Sequence, residues 1–312
     1  ADVFLGILDA KNFLGGSMSL DEAACGRAIS RLALKLDVSD QQAAYGIYSL
    51  VGEAMAAAAR THATERGVNY RGLPLLAFGG AGPIHACYVA EQLESHKVIF
   101  PRMASVLSAF GTLITPIRID LARSNLMELA QMDWCIVDVL VSEMIAEGKA
   151  ALVNAGLSGD RIGYSFSVDM RYIGQQTEVT VPLGRDSPTD KDSENFASMF
   201  EQEYQSIYGL SLGDMEIEIV AWRVSAFSLS GSRFVDREVD VRPGSPKGRR
   251  GIYLGSEVLT ADVYDRETLG REQALQGPCI IEERETTILI LPNWRATVAA
   301  DGAIVAERME GS

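Results

Sequence analysis

The stretch Leu73–Ala86, with the sequence LPLLAFGGAGPIHA, decides the fold of the chain. A short apolar strand is followed by glycines, and Pro83 then stands where the first residue of a helix would be, a position that proline favours. The helix is expected to continue through residues 85–94, HACYVAEQLE, and a second strand is expected over Lys97–Pro101. We therefore predict a strand–turn–helix–strand unit with two parallel strands and a crossover helix.

The turn between the first strand and the helix consists of Gly79, Gly80, Ala81 and Gly82. Glycines let the backbone approach a ligand closely, and a helix N terminus offers free N–H groups and a partial positive charge. Both features suit a nucleotide, although GGAG matches neither the GxxxxGK[ST] nor the GxGxxG pattern. His85, in the first helical turn, is the candidate polar contact to a ribose or phosphate. The alternatives are a turn without a ligand and a His85 that faces a neighbouring domain.

Hydrophobic periodicity predicts the remaining elements. Segments with apolar residues at helical spacing are predicted as helices: residues 20–36, 39–66, 104–115, about 133–155, and 192–208. Segments with alternating apolar residues are predicted as strands: a hairpin over residues 164–183 and a long strand over residues 215–229. Residues 242–250 are expected to form an exposed loop, and the last sixty residues a small barrel or sandwich.

The composition limits the possible partners. The chain has 312 residues, of which 47% are hydrophobic, and its 42 Asp and Glu against 28 Lys and Arg give a net charge of −14. This acidity argues against binding to nucleic acid and against adsorption to an anionic membrane surface. No apolar run approaches the ~20 residues that cross a bilayer. The four scattered cysteines predict reduced thiols in the cytoplasm, and with three scattered histidines they predict no zinc site.

Further motifs, in order along the chain, complete a resemblance to a known family. They are Phe4–Met18 (FLGILDAKNFLGGSM), Glu65–Gly67 (ERG), Val106–Gly111 (VLSAFG), Arg171–Gln175 (RYIGQ) and Gly277–Glu283 (GPCIIEE). Together with FGGAGP and the His–Ala that follows it, they resemble the C-terminal part of the hydantoinase A/5-oxoprolinase/acetone carboxylase beta-subunit family. Two positions depart from the family pattern, because Ala104–Ser105 replaces a Pro–Gly pair and Tyr204 stands where a histidine is common.

The resemblance implies an α/β fold that is divided into three parts. Residues 1–120 would belong to the second RNase H-like lobe of an actin/sugar-kinase/Hsp70-like ATPase, residues 121–240 to an α+β domain, and residues 241–312 to a small β-rich domain. In that superfamily ATP lies between two lobes, and a glycine turn of the second lobe contacts the adenosine. The resemblance therefore assigns Gly79–Gly82 and His85 to the ATP site.

Two phosphate-binding hairpins of the type DxGGT complete an ATP site in that superfamily. The sequence contains neither, since the nearest Asp–Gly pair, Asp301–Gly302, lacks the pattern. We therefore expect the chain to be the C-terminal part of a longer protein, whose N-terminal ATPase half supplies the phosphate and Mg²⁺ ligands. No metal ligand is expected in this chain.

The resemblance also implies a reaction. ATP, organised by Mg²⁺, would phosphorylate the oxygen of a small cyclic amide of the hydantoin or 5-oxoproline type, and a hydantoinase B-like subunit or domain would complete ring opening. The alternatives are a subunit of an ATP-dependent ketone carboxylase and a non-catalytic scaffold or assembly domain. The isolated chain is expected to be inactive, and no residue is assigned a catalytic role. Glu282 and Glu283 are interpreted as surface charges on opposite faces of a strand rather than as an acid–base pair.

Overall fold

The computed structural model describes residues 1–184, 192–213, 215–229 and 242–309. Within these residues the chain is mixed α/β, as predicted, and it divides into two compact units. Unit 1 joins the described residues of Ala1–Thr112 to those of Phe234–Ser312, and unit 2 contains those of Leu113–Arg233.

The α-helices lie where the hydrophobic periodicity predicted them. They are α1 Glu22–Leu36, α2 Asp40–Glu65, α3 Gly82–Gln92, α4 Leu107–Ile114, α5 Trp134–Asn154 and α6 Ser193–Tyr208. Helix α2 begins at a capping box, because Ser39 Oγ accepts from the Gln42 N–H at 3.2 Å while Gln42 Oε1 accepts from the Ser39 N–H at 3.0 Å. Such reciprocal bonds satisfy two backbone donors and fix the first helical residue.

The strands form three sheets. In chain order they are β1 Leu75–Leu76, β2 Lys97–Phe100, β3 Arg118–Glu128, β4 Ile162–Tyr172, β5 Val179–Gly184, β6 Ile217–Ser228, β7 Gly248–Tyr253, β8 Val258–Asp265, β9 Ala274–Gln276, β10 Cys279–Glu282, β11 Thr287–Ile290, β12 Trp294–Val298 and β13 Ile304–Arg308. The sheet orders are β1-β2-β13-β12-β9 and β11-β10-β8-β7 in unit 1, and β3-β6-β4-β5 in unit 2.

The glycine-turn segment folds as predicted. Strands β1 and β2 run parallel, with Leu75 opposite Val98 and Leu76 opposite Ile99, and α3 is the crossover between them. The helix packs an almost entirely buried first half against the unit 1 core, including Ile84, which is 4% exposed. The strand–turn–helix–strand prediction is confirmed.

The C-terminal strands differ from the sequence prediction. Strands β9, β12 and β13 join the sheet of the glycine-turn segment, because β13 pairs antiparallel with β2, whereas β7, β8, β10 and β11 form a second sheet of unit 1. The expected exposed loop over residues 242–250 also ends early, since β7 begins at Gly248. Alternating patterns show that a segment is a strand but not which distant strand it pairs with.

Unit 2 contains the predicted hairpin and long strand. Strands β4 and β5 pair antiparallel, and the turn that follows β4 contains Gly174 with φ +92°. Helices α5 and α6 begin at the N-caps Asp133 and Asp192, whose carboxylates accept backbone N–H bonds. Among the residues that the structure describes, no helix is both long and apolar enough to cross a membrane.

Tyr204 occupies a buried polar position on α6 of unit 2. Its hydroxyl accepts a hydrogen bond from Gln175 Nε2 at 3.0 Å, and its ring meets the Tyr172 ring edge-on at a centroid distance of 4.9 Å. Gln175 and Tyr172 belong to the RYIGQ motif. Tyr204 is therefore hydrogen-bonded directly to the motif.

Candidate functional site

The glycine turn borders open space. Gly79 has φ +94°, a left-handed conformation that glycine adopts without steric cost, and its N–H donates to the Ala104 carbonyl at 2.8 Å. The φ angles of Gly80 and Gly82 do not lie in this left-handed region. A Cβ placed on any of the three glycines would meet no atom within 4 Å. The turn therefore leaves room for a ligand to approach its backbone.

The start of helix α3 lies at this open turn. Ala81 precedes the helix and supplies no side-chain hydrogen bond to it, and Pro83 occupies the first turn. The first N–H groups of a helix have no acceptor within the helix and carry a partial positive charge. Pro83 has no N–H and the Ile84 N–H donates to the Ala81 carbonyl at 3.1 Å, so the N–H groups of Ala81 and Gly82 are the donors left to water or to a bound acceptor.

A cleft of about 360 Å³ opens beside the turn within unit 1. This volume falls within the range of small-molecule sites. Its apolar lining comes from Leu8, Phe13, Leu14, Ala81 and Ile84. The other lining residues are Asp2, Asn12, Gly80, Glu283, Arg284, Glu285, Thr286 and Thr287. Apolar walls beside exposed backbone donors and acceptors suit a flat heteroaromatic ring better than a phosphate.

The structure places His85 away from this lining. The side chain is only 5% exposed, its ring stacks on the Tyr48 ring at a centroid distance of 4.7 Å, and it is not among the residues that line the cleft. Burial lowers the pKa of His85, while Asp2 opposes the shift, so the imidazole is neutral at pH 7. Its Nδ1 has no partner among the described residues. The cleft thus brings together Gly80 and Ala81, with Gly79 and Gly82 adjacent in the turn, but not His85, whose contact with a ligand stays a prediction.

Sequence reasoning missed Thr286. This side chain is 6% exposed, and its hydroxyl donates to the Gly80 carbonyl at 2.8 Å. No sequence signal joins the two residues, because they are 206 positions apart. The FLGILDAKNFLGG segment did carry a signal as a family motif, but its position on the cleft wall became visible only in the structure.

Glu282 was interpreted as a surface charge, and the structure shows this to be wrong. It is 4% exposed and accepts hydrogen bonds from Arg250 Nη2 at 2.7 Å and from Asn12 Nδ2 at 2.9 Å. Lys247 Nζ lies 2.6 Å from its second oxygen. Buried carboxylates require such partners, and here they come from segments distant in sequence.

Glu283, the first residue after β10, is also largely buried. It forms an ion pair with Arg266, which further donates to the carbonyls of Phe100 at 3.0 Å and Gly302 at 3.1 Å. Burial raises the pKa of Glu283, and Arg266 opposes that shift. Glu282 and Glu283 therefore have different cationic partners, Arg250 and Lys247 for the first and Arg266 for the second.

A second cleft of about 340 Å³ shares residues 283–285 with the first. Its lining is more highly charged and includes Arg102, Arg266 and Glu267. Ser105, at one of the positions that depart from the family pattern, also lines it and donates to Glu285 at 3.3 Å. Of these two clefts, only the first is lined by residues of the glycine turn. We therefore take the first cleft as the candidate site.

The described residues offer no metal centre, since they contain no group of three or more His, Cys, Asp or Glu side chains that could hold an ion. The fold and cleft together define an α/β protein with a candidate small-molecule cleft at a strand–helix turn.

Comparison with known proteins identifies the family. The Hydantoinase/oxoprolinase profile matches residues 1–121, and the profile of the Hydantoinase/oxoprolinase C-terminal domain matches residues 133–303. Caprolactamase subunit alpha of Pseudomonas jessenii is 30% identical over 96% of this chain and 44% of its own length. 5-oxoprolinase 1 of Arabidopsis thaliana is 27% identical over 92% of this chain and 24% of its own length. The chain belongs to the hydantoinase/oxoprolinase family, as its motifs indicated.

Solved structures confirm the fold class. The structure of the ATP-dependent caprolactamase from Pseudomonas jessenii matches with a TM-score of 0.78 and 28% identity, over 98% of this chain and 46% of that one. The nucleotide-free acetone carboxylase structure matches with a TM-score of 0.78 over 99% of this chain and 46% of that one, and at 20% identity it shows the fold alone. The chain thus spans less than half the length of each of these relatives.

Proposed function

We propose that this chain forms the adenosine-binding side of an ATP-dependent enzyme that activates a cyclic amide. The observation that carries the proposal is the open space beside Gly79, Gly80 and Gly82 at the edge of an apolar cleft. An adenine ring has two flat apolar faces, which the cleft walls would cover. The ATP dependence of the related caprolactamase supports a nucleotide as the ligand.

The residues of the cleft have distinct parts in this proposal. Phe13 and Ile84 would pack on the base, and the backbone of Gly80 and Ala81 would contact the base or ribose. The uncapped start of α3 would supply N–H donors. When bound, ATP supplies the phosphoryl group that turns a poor electrophile into an activated one. The phosphates and Mg²⁺ would be held by an N-terminal ATPase half, as the family resemblance implies.

The substrate class rests on the relatives. Caprolactamase and 5-oxoprolinase are both named for cyclic amides, so we propose a small cyclic amide as the substrate. The second candidate is a ketone carboxylase, because an acetophenone carboxylase gamma subunit and an acetone carboxylase beta subunit are among the sequence relatives of this chain. A candidate of another class is a scaffold domain that binds no nucleotide.

We expect the 312-residue chain alone to hydrolyse no ATP above background, because its sequence contains no DxGGT phosphate hairpin. Co-expressed with the N-terminal ATPase half, it should release phosphate when a cyclic amide is supplied. Steady-state phosphate release with excess Mg-ATP measures both. Robust turnover by the chain alone would contradict the assignment of phosphate binding to another segment. A complete protein without ATP turnover would instead favour the scaffold.

We expect the chain to co-purify with a hydantoinase B-like subunit when the two are expressed together. The caprolactamase and acetone carboxylase relatives are themselves named as subunits, which supports an assembly. Size-exclusion chromatography of the co-expressed chains, beside each chain alone, gives the measurement. If neither this chain nor the full-length protein shifts to a larger species, the partner proposal is wrong.

A further inference from the structure

One hairpin contacts two walls of the cleft. It consists of β10, the turn over residues 283–286, and β11. From one flank of the turn, Thr286 Oγ1 donates to the Gly80 carbonyl at 2.8 Å. From the other flank, Glu282 Oε2 accepts from Asn12 Nδ2 at 2.9 Å. Gly80 and Asn12 are 206 and 270 positions from these partners, so the hairpin joins segments that are remote in sequence.

Each contact has one buried side chain, whereas the partner Gly80 is exposed and the partner Asn12 is half-buried. Thr286 is 6% exposed and Glu282 is 4% exposed. A buried polar group that loses its partner keeps the full cost of desolvation, so such bonds are retained rather than exchanged for water. The two strands of the hairpin are paired up to the turn, where Glu282 lies opposite Thr287 and the Glu283 N–H donates to the Thr286 carbonyl at 2.9 Å.

The N-terminal wall is fixed at more than one point. Arg250 donates to Glu282 at 2.7 Å and also reaches Asp9 Oδ2 at 3.2 Å and the Ile7 carbonyl at 3.3 Å. Lys247 adds a second cation to Glu282 at 2.6 Å. Glu282 is therefore the shared acceptor of a network that reaches residues 7–12, next to the cleft-lining residues of that wall.

We propose that this hairpin is the positioning element of the nucleotide cleft. Thr286 sets the orientation of the glycine turn, and Glu282 sets the position of the N-terminal wall. Both are positioning residues, because Thr286 hydrogen-bonds the glycine turn and Glu282 hydrogen-bonds Asn12 of the N-terminal wall. Thr286 also lines the cleft itself. The identity of the ligand rests on the proposed function, whereas the restraint of the two walls can be measured without it.

The test compares Thr286→Val, Thr286→Ser and Asn12→Ala in the 312-residue chain by hydrogen exchange. Valine keeps the shape of threonine without the hydroxyl, and serine restores the hydroxyl. We expect the amides of residues 79–84 to exchange about tenfold faster in Thr286→Val and at the parent rate in Thr286→Ser. Residues 8–14 should exchange faster in Asn12→Ala. Thermal melts identify any variant that is unfolded. If Thr286→Val does not fold, the exchange rates of Asn12→Ala decide the test.

The second measurement is the Kd for ATP of the same variants in the protein with its N-terminal ATPase half. We expect about a fivefold to tenfold rise for Thr286→Val and Asn12→Ala and less than twofold for Thr286→Ser. If the amides exchange at the parent rate in both Thr286→Val and Asn12→Ala, the positioning role is overturned. It is also overturned if they exchange faster while the Kd for ATP is unchanged. If the parent protein binds no ATP, the proposed function fails, and exchange alone still decides whether the hairpin restrains the walls.

Discussion

Replacing Gly80 by valine should raise the Kd for ATP by about tenfold to a hundredfold and leave the protein folded. Gly80 lines the cleft and has an ordinary backbone conformation, and a Cβ there would meet no protein atom within 4 Å. The valine side chain therefore costs the empty protein little, but it occupies space that the nucleotide needs. Each factor of ten in the Kd corresponds to about 1.4 kcal/mol of binding free energy. The loss of one or two close contacts with the nucleotide would account for the expected rise.

The measurement is titration calorimetry with ATP beside thermal melts, using the protein with its N-terminal ATPase half. Gly46→Val is the matched control, because Gly46 lies on an exposed part of α2 where a Cβ also meets no atom within 4 Å. Gly79→Val is less informative, since its φ of +94° would strain any β-branched residue. Unchanged ATP affinity in folded Gly80→Val would show that the turn only connects a strand to a helix.

The local elements of unit 1 could be predicted because their signals are local. Proline after a glycine turn indicates a helix start, and Ser39 followed three residues later by Gln42 is a capping-box pattern. Parallel pairing of β1 with β2 followed from the single crossover helix between them. Each of these inferences needed fewer than about thirty residues of sequence.

The partners of these elements could not be predicted, because they lie far away in the chain. The pairing of β13 with β2 places β9, β12 and β13 in the first sheet, and no alternation pattern encodes it. For the same reason, the sequence could not predict the hydrogen bond from Thr286 to Gly80 or the burial of Glu282. The glycine turn was thus predictable as a feature, whereas the other cleft walls depended on tertiary contacts.

Replacing Arg266 by methionine should destabilise the protein by about 3–5 kcal/mol at pH 7. Arg266 is 9% exposed and pairs with Glu283, which is 12% exposed, and it also donates to two backbone carbonyls. Methionine fills part of the volume but leaves a buried carboxylate without its cation. The exposed pair of Arg71 with Glu94 supplies the control, because Arg71→Met should leave the free energy of unfolding nearly unchanged. Urea unfolding measures both variants.

The pH dependence separates loss of charge pairing from loss of packing. Burial raises the pKa of Glu283 above its ordinary value of 4.5, so its contribution to stability is present below that value and is lost as the pH rises through the folded pKa. Without Arg266, which opposes the shift, the folded pKa rises further and the loss at neutral pH grows. The difference in unfolding free energy between the parent protein and Arg266→Met should therefore shrink as the pH falls from 7 to 4. The double variant Arg266→Met/Glu283→Gln should be more stable at pH 7 than Arg266→Met, since it removes the unpaired charge. A pH-independent difference, together with no recovery in the double variant, would mean that Arg266 stabilises the fold only through its packing and its bonds to the backbone.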